Sequence, residues 1–108
     1  MGYIYIMLEV DENGAERHKI GVTKNDPRIR RGNLQTGNSD KIDVLKVYES
    51  VNYLRIEKWL HRKYQSKQTL AENEWFKLDD ESVLNFERDC KQIDETIELL
   101  KRDNPYYN

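Results

Sequence analysis

Short apolar runs bounded by turn signals dominate the first half of the chain. The run Tyr3–Val10 (YIYIMLEV) is rich in aromatic and β-branched residues and too short for a buried helix, so it predicts a strand. Asn13-Gly14 is a hairpin turn signal, and Arg17–Thr23 (RHKIGVT) predicts the returning strand. The chain is therefore expected to begin with an antiparallel hairpin.

A helix and a third strand are expected next. Asp26 is a suitable N-cap and Pro27 a suitable first helical residue, which predicts a short basic helix over Arg28–Gln35. Thr36–Ser39 (TGNS) ends that helix. The apolar positions of Lys41–Ser50 alternate imperfectly and predict a strand.

The second half of the chain is predominantly helical in its pattern. Asn52–Lys67 predicts a helix whose apolar side is formed by Tyr53, Ile56, Trp59, Leu60 and Tyr64. Glu72–Leu78 is expected to be a short extended segment in which Trp75 and Phe76 close the core against that helix. Ser82–Arg102 predicts a second long helix.

This last helix carries a regular apolar seam. Its members are spaced alternately three and four residues apart, as in the a and d positions of a coiled coil: Val83, Phe86, Cys90, Ile93, Ile97 and Leu100. The seam fits packing within its own domain, and it also fits pairing with a second copy of the chain. A homodimer through the C-terminal helix is therefore one expectation.

Charge is distributed unevenly along the chain. The net charge of −2 combines +3 for residues 1–78, with 14 basic and 11 acidic side chains, and −5 for residues 79–108, with 4 and 9. Arg17–Arg31 contains six basic residues against the single acid Asp26. A local basic patch of this kind attracts a phosphate backbone, although it is equally typical of a solvated charged face.

Other chemistry narrows the class of protein. The single Cys90 excludes an internal disulfide and suits a reducing compartment. No Cys/His spacing resembles a zinc site, and no apolar run is long enough to span a bilayer. The first residues lack the features of a signal peptide, so the expected location is intracellular and the expected partners exclude membranes.

Several short motifs in a fixed order resemble the GIY-YIG endonuclease superfamily, in particular its small phage, viral and fungal subgroup. They cover about residues 2–78 and read, in order, Tyr3-Ile4-Tyr5, Lys19-Ile20-Gly21-x-Thr23, Asp26-Pro27 leading to Arg30, Leu34-Gln35-Thr36-Gly37-Asn38, Glu57-x-x-Leu60-His61 and Glu74-Trp75-Phe76. The resemblance implies an α/β (α+β) fold with a small three-stranded antiparallel sheet flanked by helices. It divides the chain into a nuclease-like domain, residues 1–78, and an acidic C-terminal helix and tail, residues 79–108, which belongs to the same compact unit or serves dimerisation.

The resemblance also implies a metal-dependent endonuclease that hydrolyses DNA by a one-metal mechanism. Glu57 would hold Mg²⁺ or Mn²⁺, although by residue type alone it is an ordinary helix-surface acid. Tyr5 and Lys19 would act on the attacking water, and Lys19 departs from the tyrosine of the named motif. Arg30 would bind the phosphate, with Arg28 as its competitor if the register differs. His61, one helical turn after Glu57, would orient it, donate to the phosphate or move a proton.

Three further residues and two rival functions complete the expectations. Lys24, Arg28 and Arg31 are expected to contact the DNA backbone as generic cations. The first rival is a DNA-binding module of the same fold that has lost cleavage. The second is a protein-interaction domain working through the acidic helix. If the nuclease interpretation holds, Tyr5, Lys19, Arg30 and Glu57 should converge on one concave face.

Overall fold

The computed structural model describes residues 1–67, 75–104 and 106. The elements follow the order β1 (Gly2–Val10), β2 (Glu16–Thr23), α1 (Pro27–Gln35), β3 (Lys41–Ser50), α2 (Tyr53–Lys63), a 3₁₀ turn (Gln65–Lys67), β4 (Trp75–Phe76), α3 (Asp80–Leu84) and α4 (Phe86–Asp103). Residues 68–74 lie outside the described residues, and residues 72–74 among them, including Glu74, belong to the predicted extended segment.

The predicted hairpin is confirmed. Asp11 organises its turn, since its side-chain Oδ1 accepts hydrogen bonds from the backbone N–H groups of Asn13 at 2.8 Å and Ala15 at 2.9 Å. Gly14 adopts a φ of 81°, a left-handed conformation that glycine takes without steric cost. β1 and β2 consequently pair antiparallel along their whole length, from Tyr3 opposite Thr23 to Val10 opposite Glu16.

The sheet has four strands in the order β3-β1-β2-β4, one more than predicted. β3 occupies the predicted residues and pairs antiparallel with β1, with an irregularity at Ile6/Met7. β4 contains only two described residues, and they pair with His18 and Lys19 of β2. A strand this short has too few positions to show an alternating pattern, so the sequence indicated extended chain without predicting its place in the sheet.

Two helix boundaries differ from the prediction. α2 ends at Lys63 and is followed by a separate 3₁₀ turn, so the predicted helix over Asn52–Lys67 is too long. The predicted helix over Ser82–Arg102 is two helices, α3 and α4, separated at Asn85. Asn85 has φ −90° and ψ 4°, a local change of direction that leaves the spacing of apolar residues almost unaltered.

The larger core lies between one face of the sheet and the helices α2 and α4. Ile4, Ile6 and Ile20 contribute from the sheet, and Ile56 and Leu60 from α2. Most of the apolar seam of the C-terminal region joins this core: Phe86, Cys90 and Ile97 are fully buried, Val83 and Ile93 pack against them, and Leu100 remains partly exposed. Packing within the domain is therefore what the structure supports, and the seam is not a free surface for a second copy.

A smaller core lies on the opposite face of the sheet, under α1. Tyr5, Met7 and Ile42 form it, with Leu34 of α1 packed against them. The two residues of β4 point to different faces: Phe76 belongs to the larger core, whereas Trp75 lies opposite Lys19. The expectation that both aromatic side chains close the core against α2 is therefore correct for Phe76 and wrong for Trp75.

Asn52 connects the start of α2 to α4. Its side-chain Nδ2 donates to Asp94 at 2.8 Å and to Glu98 at 3.0 Å, and its Oδ1 accepts from Lys101. Tyr48 also donates to Asp94, and burial together with that carboxylate raises the pKa of Tyr48 to about 12. Polar bonds as well as apolar packing therefore hold the acidic helix to the domain.

Candidate active site

Tyr5 lies directly over Gly21. The two residues are cross-strand partners in β1 and β2, and a Cβ placed on Gly21 would lie 2.5 Å from the Tyr5 hydroxyl oxygen. The absence of a side chain at Gly21 thus makes the space that the tyrosine ring occupies. Tyr5 is 1% exposed, so its ring is held from all sides.

Lys19 occupies the same face of the sheet, one pair of residues along β2. It is 7% exposed, and its Nζ lies 5.5 Å from the centroid of the Trp75 ring. The Arg17 guanidinium stacks on the same ring at 3.9 Å and pairs with the buried Glu9 at 2.7 Å. Lys19 is consequently a buried cation on the Tyr5 face of the sheet rather than an exposed side chain.

Glu57 and His61 lie on the helix that covers the other face of the sheet. Their helix, α2, packs on the face opposite Tyr5, and His61 Nε2 lies 3.1 Å from the backbone oxygen of Ile20. The His61 ring also packs edge-on against Phe76, with centroids 5.1 Å apart and planes at 81°. Glu57 is half-buried and borders a shallow depression of about 450 Å³ together with Lys58, His61 and Arg62.

His61 and Tyr5 therefore contact consecutive residues of β2. His61 contacts Ile20 from the α2 side, and Tyr5 covers Gly21 from the α1 side. The described part of β4 pairs with β2 only at the two preceding residues. The expected convergence of Tyr5, Lys19, Arg30 and Glu57 on one concave face is not observed in the described residues, because α1 covers the Tyr5 face of the sheet and α2 covers the opposite face.

The arginines of α1 have different roles. Asp26 caps the helix by accepting from the backbone N–H of Arg28 at 2.9 Å, as predicted, and the Arg28 guanidinium pairs with the same carboxylate at 2.7 Å. The hydrogen bonds from Arg28 hold the pKa of Asp26 below its usual value. Arg31 donates from Nε to the backbone oxygen of Ile42 at 2.8 Å, which ties α1 to β3. Of the three, only Arg30 makes no hydrogen bond or ion pair within the described part of the chain.

The three residues predicted to contact the DNA backbone differ in how exposed they are. Lys24 is exposed in the turn before α1, and Arg28 is exposed beyond its pairing with Asp26. Arg31 is half-buried, and its bond to Ile42 is a structural tie that the sequence could not reveal. The basic character of α1 is thus real, but its members are not interchangeable.

A second basic surface, on α2, was missed in the sequence. Residues 53–67 contain five Lys or Arg side chains against the single acid Glu57. We call Lys58, Arg62 and Lys63, which are exposed on the outside of α2, the α2 basic surface. The composition of that segment was sufficient to find it.

Metal ligation by a cluster is not observed in the described part of the chain. Over residues 1–67, 75–104 and 106, no group of three or more His, Cys, Asp or Glu side chains is placed to hold a metal ion. Glu57 is therefore a single candidate carboxylate. Among the described helices, none has the length and apolar character needed to cross a membrane.

A small α+β sheet carries a glycine-supported tyrosine, and cationic helices flank it on both faces. Residues 2–101 match the model of the T5orf172 domain, and the chain accordingly belongs to the T5orf172 domain family, which is nuclease-related. That match extends past residue 78 into α4. Neither the curated proteins nor the solved structures include a significant match to the chain.

Proposed function

We propose that this chain is a GIY-YIG type endonuclease that hydrolyses DNA phosphodiester bonds with one divalent metal ion. The observation that carries the proposal is that Tyr5 and His61 contact two consecutive residues of β2, and that Glu57 lies one helical turn from His61. Membership of a nuclease-related family supports it. A nearly neutral net charge is no obstacle, because the basic side chains are concentrated on α1 and α2.

Glu57 suits a hard divalent cation. Mg²⁺ is commonly held by one or two carboxylates and keeps several of its own waters, so a single carboxylate beside an open depression meets the requirement. When bound there, Mg²⁺ or Mn²⁺ would stabilise the negative charge that develops on the phosphate oxygens. The half-exposed position of Glu57 leaves room for such an ion and its waters.

His61 has a defined protonation pattern. The backbone oxygen of Ile20 can only accept a hydrogen bond, so His61 Nε2 carries the proton in that contact. In the neutral ring, Nδ1 then holds the lone pair and is the nitrogen that can accept a proton. His61 is thereby suited to take up the proton of the attacking water.

Tyr5 and Arg30 would complete the site. The Tyr5 hydroxyl is held over Gly21 and would position the water, and the buried Lys19 would add positive charge to the same face of the sheet. Arg30 lies on α1, which covers the Tyr5 face, and its guanidinium is suited to two phosphate oxygens. The groups are thus supplied by rigid strands and helices.

One observation favours the rival function, a DNA-binding module without cleavage. Tyr5 and Lys19 are 1% and 7% exposed, so neither reaches solvent without a neighbour moving. A binding module would need only the cationic helices. The nuclease would need Glu57 for cleavage, whereas in a binding module Glu57 would affect only the affinity for DNA.

Nicking of supercoiled plasmid separates them. Wild type is incubated with and without Mg²⁺ or Mn²⁺, beside Glu57→Gln and the control Glu95→Gln, which alters an exposed acid on α4. We expect metal-dependent nicking that falls at least about a thousandfold in Glu57→Gln, because loss of the metal removes several kcal/mol at ~1.4 kcal/mol per tenfold. DNA affinity should persist or increase, since one negative charge is removed. Binding without nicking under either metal would establish the rival.

A further inference from the structure

The outer side of α2 carries more positive charge than its own helix balances. Glu57 is the only acid between residues 53 and 67, whereas exposed helix surfaces that serve stability usually alternate signs at spacings of three and four. Lys63 is partly compensated by Asp89, at 3.6 Å. Lys58 and Arg62 make no hydrogen bond or ion pair with any described residue.

The surroundings of Arg62 also restrict its position. It borders two depressions, one of about 450 Å³ shared with Glu57 and His61, and one of about 410 Å³ shared with Trp59 and Lys63. Its guanidinium carbon lies 5.9 Å from the centroid of the half-buried Trp59 ring, which limits where the charge can lie. The α2 basic surface is thus a pair of cationic recesses beside the proposed site.

Negative charge is concentrated on a different part of the surface. Carboxylates line a groove of about 890 Å³ between β3 and α4, with contributions from Glu49, Asp94, Glu95 and Glu98. Phosphates would be repelled from that groove and attracted to the two basic helices. Those helices cover opposite faces of the sheet, and His61 and Tyr5 contact β2 from these two faces.

We propose that the α2 basic surface binds phosphates of the same DNA that α1 would contact, so that the DNA reaches both faces of the sheet. The inference rests on the proposed function for its choice of DNA as the ligand. Lys58 and Arg62 are the principal contacts, because no described residue forms an ion pair with either of them, and Lys63, which pairs with Asp89, contributes less. Glu57 and His61 then face the backbone between two points of attachment.

Salt dependence of binding tests this directly. Affinity for a short fluorescein-labelled duplex is measured by anisotropy in EDTA, from about 50 to 200 mM NaCl, where each phosphate contact contributes about 0.9 to the slope of log K against log salt. The double variant Lys58→Gln/Arg62→Gln should reduce the slope by about 1.8 and weaken binding about 60-fold at ~0.1 M salt. The control Lys91→Gln/Arg102→Gln removes two exposed cations beside the acidic groove and should leave both quantities unchanged.

The outcomes distinguish this surface from the cleavage chemistry, since no metal is present during binding. If wild type never nicks plasmid but the double variant loses slope, the surface stands and the nuclease function falls. If wild type nicks and the double variant matches the control in slope and affinity, the α2 surface is an ordinary solvated face and this inference is overturned. Both replaced side chains are exposed, so circular dichroism should show an intact fold.

Discussion

Replacing Gly21 with alanine is the most direct test of how Tyr5 is held. The added methyl would lie 2.5 Å from the Tyr5 hydroxyl oxygen and 2.7 Å from its Cζ. Ordinary contact begins at 3.4 Å, so the hydroxyl must retreat by about 0.9 Å. Because Tyr5 is almost fully buried, that movement requires neighbouring side chains to shift.

Both stability and turnover should respond. Overpacking of this kind costs about 1–3 kcal/mol, which lowers the melting temperature of a domain this size by about 5 °C or more. Displacement of a reacting group by roughly 1 Å can reduce turnover about a hundredfold. Gly32→Ala is the matched control, since its Cβ would meet nothing within 4 Å and alanine should stabilise α1 by about 0.5–1 kcal/mol.

The double variant Tyr5→Leu/Gly21→Ala identifies the cause of the loss. If the clash with the ring is responsible, the double variant should regain part of the stability lost by Gly21→Ala without regaining nicking activity. Thermal melts and plasmid nicking at saturating DNA measure the two quantities. A Gly21→Ala protein with wild-type melting temperature and turnover would refute the reasoning, because it would show that the ring is not pressed against Gly21 or that its position is irrelevant.

Three further results are expected. Lys19→Met should slow nicking about a hundredfold at saturating DNA while changing DNA affinity less than about twofold, because a buried lysine would act on the cleavage step and not on the DNA backbone. A fall in DNA affinity equal to the fall in nicking rate would contradict this. Burial lowers the pKa of His18, and its Nδ1 accepts a hydrogen bond from the Leu78 N–H. The free energy of unfolding should therefore decrease as pH falls below ~6.5, and this part of the decrease should vanish in His18→Gln. Asn52→Leu should lower the free energy of unfolding by about 2–3 kcal/mol in urea titrations, because it removes hydrogen bonds to two carboxylates and an ammonium group; a change below ~0.5 kcal/mol would show that α4 does not depend on them.

Local signals in the sequence were sufficient for much of the fold. Asn13-Gly14 predicted the hairpin and Asp26-Pro27 the start of α1, because both act through backbone conformation within a few residues. The bounds of β3 were predicted without error. The break at Asn85 was missed because a one-residue change of direction preserves the helical spacing of the apolar residues around it.

The arrangement of the candidate site was harder to predict. The identities of Tyr5, Glu57 and His61 came from the resemblance, which carries no information on the face of the sheet each helix covers. That choice is made by tertiary packing, in which Leu34 places α1 over Tyr5 and Leu60 places α2 against Ile20. The role of Arg31 was also beyond the sequence, since its partner is a backbone oxygen eleven residues away.

That backbone oxygen belongs to the outermost strand of the sheet, where an open row of peptide groups invites another chain to add a strand. Arg31 donates to the oxygen of Ile42 while Gln35 Oε1 accepts from its N–H at 3.0 Å, so α1 occupies both polar groups of this residue. α1, a short helix with three arginines, thereby also protects this part of the sheet edge against edge-to-edge aggregation. Loss of Arg31 would accordingly leave the backbone oxygen of Ile42 without this donor and reduce solubility at high concentration.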